Sequence, residues 1–563
     1  MMNEEIDIDE LAPWLVIIIT LIGGFLRVFL LAKNGLWLDE TFSVWLANHS
    51  VPDMLPWIVK IDQHPPLYYL LLHYWIARNG DTPYYVRLLS VLFGAGTIPI
   101  IYLIGKRISG AMVGLAAAVM LALSTFNIYY AQDTRMYTLL TFNAAVAIYA
   151  LVRLLTDSRS VRPIGSQFRE YLHAWRTSEP VESDSEGGFS YKDEIRNQGG
   201  WRAWIFRHRW LPIQAIETDL AWVVFIVFSA ATLLTHNTAV LFLLAINIFV
   251  LGLMLFQRIK KSGPVPAFQA PSFGNWVKAQ LGIFLLWSPW LFAFIQQASR
   301  VYQEFWVPKP SWDTVSQVLI SFLNGYVPGK ASRVMMIWIV SASVLCLGLV
   351  HYRKKLSRFL FLAVLFAVPI LGELIVSIRR PIFLDRTLIW ITIPLFLVLA
   401  AGVAQLRFRF LMIVVLGILG TNSLFSTGDY YRFWRTPEDW SSVAGYVANY
   451  AEKDDLILFN ASWVQIPFDY YFRPYEDKYY LQVEKRGAPV DMFDSGILEP
   501  KMTESDIPRL ISLLHGHKRV WLVYSHNGYT DPEGIVRQTL VYEMTFIQKR
   551  EFYGVEVQLY ENR

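Results

Sequence analysis

The stretch GLWLDETFSVWLANHS, residues 35–50, follows directly on the first long apolar run of the chain, residues 13–31. It sets two adjacent carboxylates, Asp39 and Glu40, between Trp37 and Trp45. Tryptophan gathers where a spanning helix reaches the headgroups, and a carboxylate pair is too costly to leave in hydrocarbon. The stretch therefore marks the end of a span and the start of an outer loop. The composition agrees: of 563 residues, 54% are hydrophobic and 17% charged, and the mean hydropathy is +0.34. A chain of this length usually divides into soluble domains, but this composition places most of it in a bilayer. The net charge of +4 is too small to point to nucleic acid. The single cysteine, Cys346, excludes an internal disulfide and a cysteine-based metal site.

Working outward, apolar runs near the length of a span occupy residues 13–31, 86–104, 111–129, 136–155, 220–234, 239–256, 277–295, 334–350, 359–378, 388–404 and 410–426. These predict a polytopic all-α membrane protein of about eleven transmembrane helices, with residues 1–426 as the transmembrane module. The N-terminus is acidic and the first run lacks a small-residue cleavage site, so that run reads as a retained span. Basic residues sort the loops. Lys106-Arg107, Arg153, Arg258 with Lys260-Lys261, Arg353-Lys354-Lys355 and Arg407 with Arg409 fall in alternate connections. The positive-inside rule then puts the N-terminus in the cytoplasm and the C-terminus outside. Arg379-Arg380 stands on the outer side against that rule and asks for another reason.

Three parts are not spans. Residues 33–85 form a long first outer loop, whose HPPLYYLLLHYWIARNG reads as a helix lying along the interface. Residues 157–218 form a mixed-charge cytoplasmic insert ending in WRAWIFRHRW, a second candidate interfacial helix. Residues 427–563 are hydrophilic enough for an extracytoplasmic α/β domain. There TPEDWSSVAGYVANYA predicts a helix capped by Thr436 with Pro437 at its first position, and DLILFN, RVWLVYSH and GVEVQLYE predict strands.

With this topology the unusual polar residues collect on one side. Asp39, Glu40, Gln63 and His64 lie in the first outer loop; Gln132, Asp133, Arg135 and Tyr137 in the second outer turn; His236 in the third; Arg379, Arg380, Asp385 and Arg386 in a later one. A carboxylate with several cations at headgroup depth suits transfer from a lipid-borne phosphate. The carboxylate takes the proton of an attacking hydroxyl, and arginines take up the charge of the leaving phosphate. Each residue alone has a plainer reading: a solvated turn for Asp39-Glu40, a local ion pair for Asp133 and Arg135, a turn for His64, a helix end for His236, and a snorkelling side chain for Arg27. Their convergence on one face carries the functional reading.

LWLDETFS, HPPLYYLLLHYW, RLLSVLFGAGTIPIIYLIGKRISG and YYAQDTRMYTLL, in this order and spacing, resemble the GT-C membrane glycosyltransferases of the protein O-mannosyltransferase and lipid A aminoarabinose transferase kind. The resemblance is clearest over residues 11–155 and fainter to about 450. It implies a GT-C fold and transfer of a sugar from a polyprenyl-phosphate donor to an extracytoplasmic glycan, lipid or protein acceptor, with inversion at the anomeric carbon. It makes Asp39 the base, with Glu40 beside it orienting the acceptor. It places His64, Arg135 and Arg386 toward the donor phosphate, where the phosphate reading of the outer loops also sets Arg379 and Arg380, and Gln63, Asp133 and Tyr137 around them or toward the acceptor. Relatives carry Glu-Lys where this chain has Gln63-His64, a departure that weakens metal binding at that position. Asp133 and His236 admit a divalent metal without requiring one. The leading alternative is a transporter or flippase for a lipid-linked or small solute, kept open by Glu373 within a span. A receptor built on the outer domain is another. An oligosaccharyltransferase subunit ranks lower because the WWD signature is absent.

Overall fold

The computed structural model describes residues 8–62, 64–170, 217–259, 268–300, 309–326, 331–353, 355–495 and 500–563. Gln63 and the sequence WRAWIFRHRW lie outside the described residues. The chain opens with α1 (Ile8–Val28), then packs three short helices, α2 (Leu38–Ala47), α3 (Val51–Ile61) and α4 (Leu67–Asn79), before the long α5 (Pro83–Ser109). A broken pair follows, α6 (Ala111–Leu123) and α7 (Thr125–Ala131), and then α8 (Tyr137–Thr156). All eleven predicted runs lie on helices. Among the described residues eight helices are long and apolar enough to cross a membrane, nine if α6 and α7 count as one span. The remaining two runs form the shorter helices Glu217–Leu233 and Ile389–Ala404.

Small residues let these helices approach closely. A Cβ on Gly105 of α5 would stand 2.7 Å from the Cα of Gly114 on α6, so the α5–α6 crossing needs glycine. The α6–α7 break has a specific partner. The two helices meet at 58°, where Ser124 caps α7 by accepting the Asn127 N–H. Arg27 of α1 donates to the carbonyls of Ala122 at 3.0 Å and Leu121 at 2.9 Å, groups that an unbroken helix would have satisfied itself. Arg27 is completely buried, so it does not snorkel.

The last apolar helix, Arg409–Phe433, runs past the predicted boundary at 426 and leads into a five-stranded sheet. Its order is β2 (Glu484–Gly487), β1 (Leu456–Asn460), β3 (Arg519–Tyr524), β5 (Val555–Asn562), β4 (Met544–Phe552). The β1 pairings to β2 and β3 are parallel, those of β5 to β3 and β4 antiparallel. Alternate residues face opposite ways. Ile457, Phe459, Trp521 and Val523 join the core continuous with the helices, whereas Leu456, Leu458, Val520 and Leu522 join a separate outer core. The domain's first helix begins at Trp440, capped by Asp439, and not at Thr436 as the sequence suggests. Asp439 N–H is held by the Tyr553 carbonyl at 2.9 Å, and Glu438 is drawn to α2, which keeps the residues before Trp440 out of the helix.

The sheet domain seats directly on the connection between α1 and α5. Leu36 N–H donates to the Tyr471 hydroxyl at 2.5 Å, and the Tyr470 hydroxyl donates to the Asp81 carbonyl at 2.7 Å.

Candidate active site at the start of the second helix

Trp37 is extended and α2 begins at Leu38, placing Asp39 and Glu40 in its first turn, where free N–H groups favour anions. Consecutive helical side chains point about 100° apart. The two carboxylates therefore enter different surroundings.

Glu40 is wholly buried. Arg87 of α5 grips it with two bonds, Nε to Oε1 at 2.7 Å and Nη2 to Oε2 at 2.5 Å. Thr134 adds its backbone N–H at 3.0 Å and its hydroxyl at 3.2 Å. The other Arg87 hydrogens go to the carbonyls of Leu31, Asn34 and Gly35. One buried ion pair thus ties α2, α5, the second outer turn and the connection after α1 together.

Asp39 is 30% exposed, with Arg386 Nη1 3.6 Å from its Oδ2. Its backbone carbonyl accepts from Arg135 Nη1 at 3.3 Å. Arg135 also donates to Ser43 Oγ at 3.1 Å and the Tyr69 hydroxyl at 3.4 Å, and its Nη2 lies 3.5 Å from His64 Nδ1. His64 donates from Nδ1 to Asp62 Oδ1 at 2.9 Å. Burial pushes Asp62 up, but the charge and hydrogen bond of His64 and the charge of Arg135 outweigh it and hold the carboxyl below its ordinary value. The His64 ring lies 5.1 Å from that of His236, which lies 6.3 Å from Tyr137. Burial, then the positive charges of His64, Arg386 and Arg135, push His236 well below its usual value. Its Nδ1 accepts the Thr238 N–H at 3.2 Å, so the neutral ring carries its hydrogen on Nε2.

The turn bearing Arg386 is pinned on both sides. The Tyr326 hydroxyl donates to Asp385 at 2.6 Å and the Thr387 hydroxyl to Glu373 at 2.9 Å. Glu373 thereby has a structural partner in that turn. The Arg386 guanidinium sits 5.9 Å over the Tyr137 ring. Arg379 is exposed and Arg380 half-buried at the end of the preceding helix, and both stand outside the contacts just described.

Asp133 accepts from Trp37 Nε1 at 3.2 Å. Burial and the charge of Glu40 push its carboxyl up, with Arg135 opposing. The groups named for a metal are thus engaged elsewhere: Asp133 by an indole, and His236 with its acceptor nitrogen on a backbone amide. Among the described residues no three His, Cys, Asp or Glu side chains come together to hold a metal ion.

The sheet domain contributes a group that the sequence did not reveal. Glu438 is buried and accepts from Leu38 N–H, the first residue of α2, and from Trp440 Nε1, both at 3.3 Å. His526 Nε2 lies 3.5 Å from its other oxygen. Burial pushes Glu438 up to about 7, the two hydrogen bonds oppose this, and the charge of Asp39 adds to it. Arg87, Asp62, Tyr69 and Ser43 were also missed. Only Arg87 left a signal, as an arginine inside the predicted span 86–104.

Residues 63–164 match the family model described as dolichyl-phosphate-mannose-protein mannosyltransferase. Among solved structures the chain is similar to ArnT from Cupriavidus metallidurans in the apo state, with a TM-score of 0.58 and 11% identity over 97% of each chain. The same protein bound to undecaprenyl phosphate gives a TM-score of 0.57 and 10% identity, again over 97% of each. The oligosaccharyltransferase AglB from Archaeoglobus fulgidus, in complex with an inhibitory peptide and a dolichol-phosphate, gives 0.51 and 9% over 98% of this chain and 74% of that one. No curated protein matches the chain. The fold is the one that ArnT and AglB share, and the apolar helices make the chain an integral membrane protein.

Proposed function

We propose that this protein is an inverting membrane glycosyltransferase that moves a sugar from a polyprenyl-phosphate donor to an extracytoplasmic acceptor. The observation that carries the reading is Asp39, half-exposed against Arg386 while Glu40 beside it is fully engaged. The donor phosphate draws Arg386 toward itself, and Arg135 and His64 share its charge. Asp39, released from its ion pair, takes the proton of the acceptor hydroxyl as that oxygen attacks the anomeric carbon. The bond from that carbon to the phosphate oxygen breaks, and the phosphate departs as an anion needing no proton. His236 offers a neutral Nε2–H, and Tyr137 supports Arg386 from below. Glu40 is a positioning residue, and no step uses a divalent ion. The ArnT complex with undecaprenyl phosphate and the AglB complex with a dolichol-phosphate support a lipid carrier. The basic loops support a cytoplasmic N-terminus and an outer sheet domain.

The test compares cells carrying the wild-type chain or Asp39→Asn at matched membrane levels, with lipid-linked sugars quantified by mass spectrometry. Accumulation of one polyprenyl-phosphate sugar in the variant is the expected result. Equal pools in both, with a changed solute gradient, would replace this reading by a transporter.

A further inference from the structure

The loop after β3 brings Ser525 and His526 against Glu438, and their hydrogen bonds leave a place for one proton. The Ser525 hydroxyl lies 2.9 Å from the Gly554 carbonyl and 3.0 Å from His526 Nδ1. A carbonyl only accepts, so the hydroxyl spends its hydrogen there and takes the one on Nδ1. His526 therefore keeps a hydrogen on Nδ1 whether charged or neutral. Its Nε2, 3.5 Å from Glu438 Oε1, is the nitrogen that gains and loses a proton.

Glu438 is divided in the same way. Its Oε2 accepts from Leu38 N–H and Trp440 Nε1, both at 3.3 Å, which leaves Oε1 facing the imidazole. One hydrogen can stand between Oε1 and Nε2, either as carboxyl and neutral ring or as carboxylate and imidazolium. Burial favours the uncharged form of both partners. It raises Glu438, as above, and lowers His526, where the charge of Asp39 opposes it. The carboxyl is buried while the His526 side chain is 35% exposed, so the pair reaches from the start of α2 to open water. His526 also holds a φ of 56°, in the left-handed region that residues with a side chain rarely adopt. Strained backbone of this kind gathers at functional sites.

The pair stands beside the proposed base. Leu38, whose N–H Glu438 accepts, is the residue before Asp39, and the charge of Asp39 acts on both Glu438 and His526. The ionisable groups acting on the ring are thus Glu438 and Asp39. Every transfer leaves one proton on Asp39, and that proton has to depart before the next acceptor is activated.

We infer that Glu438 and His526 form the exit for the proton that Asp39 removes from the acceptor, so that the sheet domain takes part in each turnover. The inference rests on the proposed transfer reaction. The Asp39 O–H bond breaks, the proton passes through water to the ionised Oε1 of Glu438, and an O–H bond forms there with its hydrogen toward Nε2. The proton then crosses to Nε2, leaving carboxylate and imidazolium, and departs to water from the exposed ring. Carboxylate and neutral ring are restored, and no electrons change hands. Both side chains act through Asp39 and are positioning residues.

The test uses the full chain in lipid nanodiscs. His526→Asn supplies a residue that tolerates the left-handed backbone, and Glu438→Gln keeps an acceptor for the Leu38 and Trp440 hydrogens. Steady-state transfer falls roughly 100-fold in each, within the range of a lost positioned proton carrier. Added imidazole restores both variants in proportion to its concentration and leaves the wild type unchanged. Unaltered rates in the folded variants, or a loss that imidazole does not restore, would overturn the inference; the second would make the pair a clasp between the sheet domain and α2. NMR of protein carrying isotope-labelled histidine reads the pair without substrate, with His526→Asn identifying its signal. The neutral His526 ring carries its hydrogen on Nδ1, and Asp39→Asn lowers the pH at which that ring titrates. A hydrogen on Nε2, or a titration that Asp39→Asn does not move, would also overturn it. If the wild type transfers nothing, the transfer reading fails and the exit role falls with it, whereas the His526 titration still shows whether the pair is coupled to Asp39.

Discussion

The two sides of α2 are built in opposite ways. Toward α5, Glu40 meets four donors from Arg87 and Thr134 and sees no solvent. Toward the Arg386 turn, Asp39 has one cation at 3.6 Å and an open face. Neighbours in sequence, the two carboxylates divide the work between them. A saturated carboxylate cannot accept a substrate proton without dismantling its surroundings, whereas a loosely paired one exchanges its cation for a phosphate and becomes free. On the proposed mechanism, Glu40 holds this loop in place while Asp39 faces the donor.

That contrast can be broken from either side. Glu40→Ala leaves Arg87 charged and buried without its partner, and we expect a loss of about 3–5 kcal/mol of stability. The thermal midpoint in detergent reads this, and transfer activity should fall with it. Arg386→Ala should leave the midpoint unchanged and weaken polyprenyl-phosphate binding roughly 10- to 100-fold, the effect of one charge-assisted contact of about 1.5–3 kcal/mol. Titration with the lipid phosphate checks it, and unaltered affinity would remove Arg386 from the phosphate site.

A smaller effect is expected where the sheet domain touches α2. Glu438 has its folded value pushed up to about 7 from an ordinary 4.5, so the fold prefers its neutral form. Its contribution to stability is therefore fullest below pH 4.5 and declines as pH rises toward 7, levelling above that. Glu438→Gln should flatten that slope by about 1–2 kcal/mol between pH 5 and 8, seen as a smaller drop in thermal midpoint than in the wild type. An identical slope in both proteins would mean that the junction with α2 is not sensitive to this group.

Much of this arrangement is legible in the chain itself. Apolar run length placed the helices, short β-branched and aromatic runs placed β1 and β3, alternation placed β5, and the basic loops sorted the polar turns onto one face, where Asp39, His64, Arg135, Tyr137, His236 and Arg386 do meet. What stayed hidden are pairings distant in sequence. Nothing near Glu40 announces Arg87, 47 residues on, and nothing near Ser124 announces that Arg27 will fill its opened helix turn. The strands β2 and β4 sit at the sheet edges, where exposed EKRG and MTFIQKREF lack a buried alternation. Thr436-Pro437 looks like a helix start by local rules. Tertiary bonds of Glu438 and Asp439 overrule it.

The most direct measurement sets Asp39→Asn beside Glu40→Gln in purified protein, recording single-turnover consumption of a polyprenyl-phosphate sugar together with the thermal midpoint. The account predicts that Asp39→Asn keeps the wild-type midpoint and slows consumption about 10³-fold, within the range of a lost general base. Glu40→Gln should lower the midpoint, and its remaining folded fraction should still consume donor. A fully active Asp39→Asn, or an inactive Glu40→Gln with an unchanged midpoint, would reverse the roles assigned to the pair.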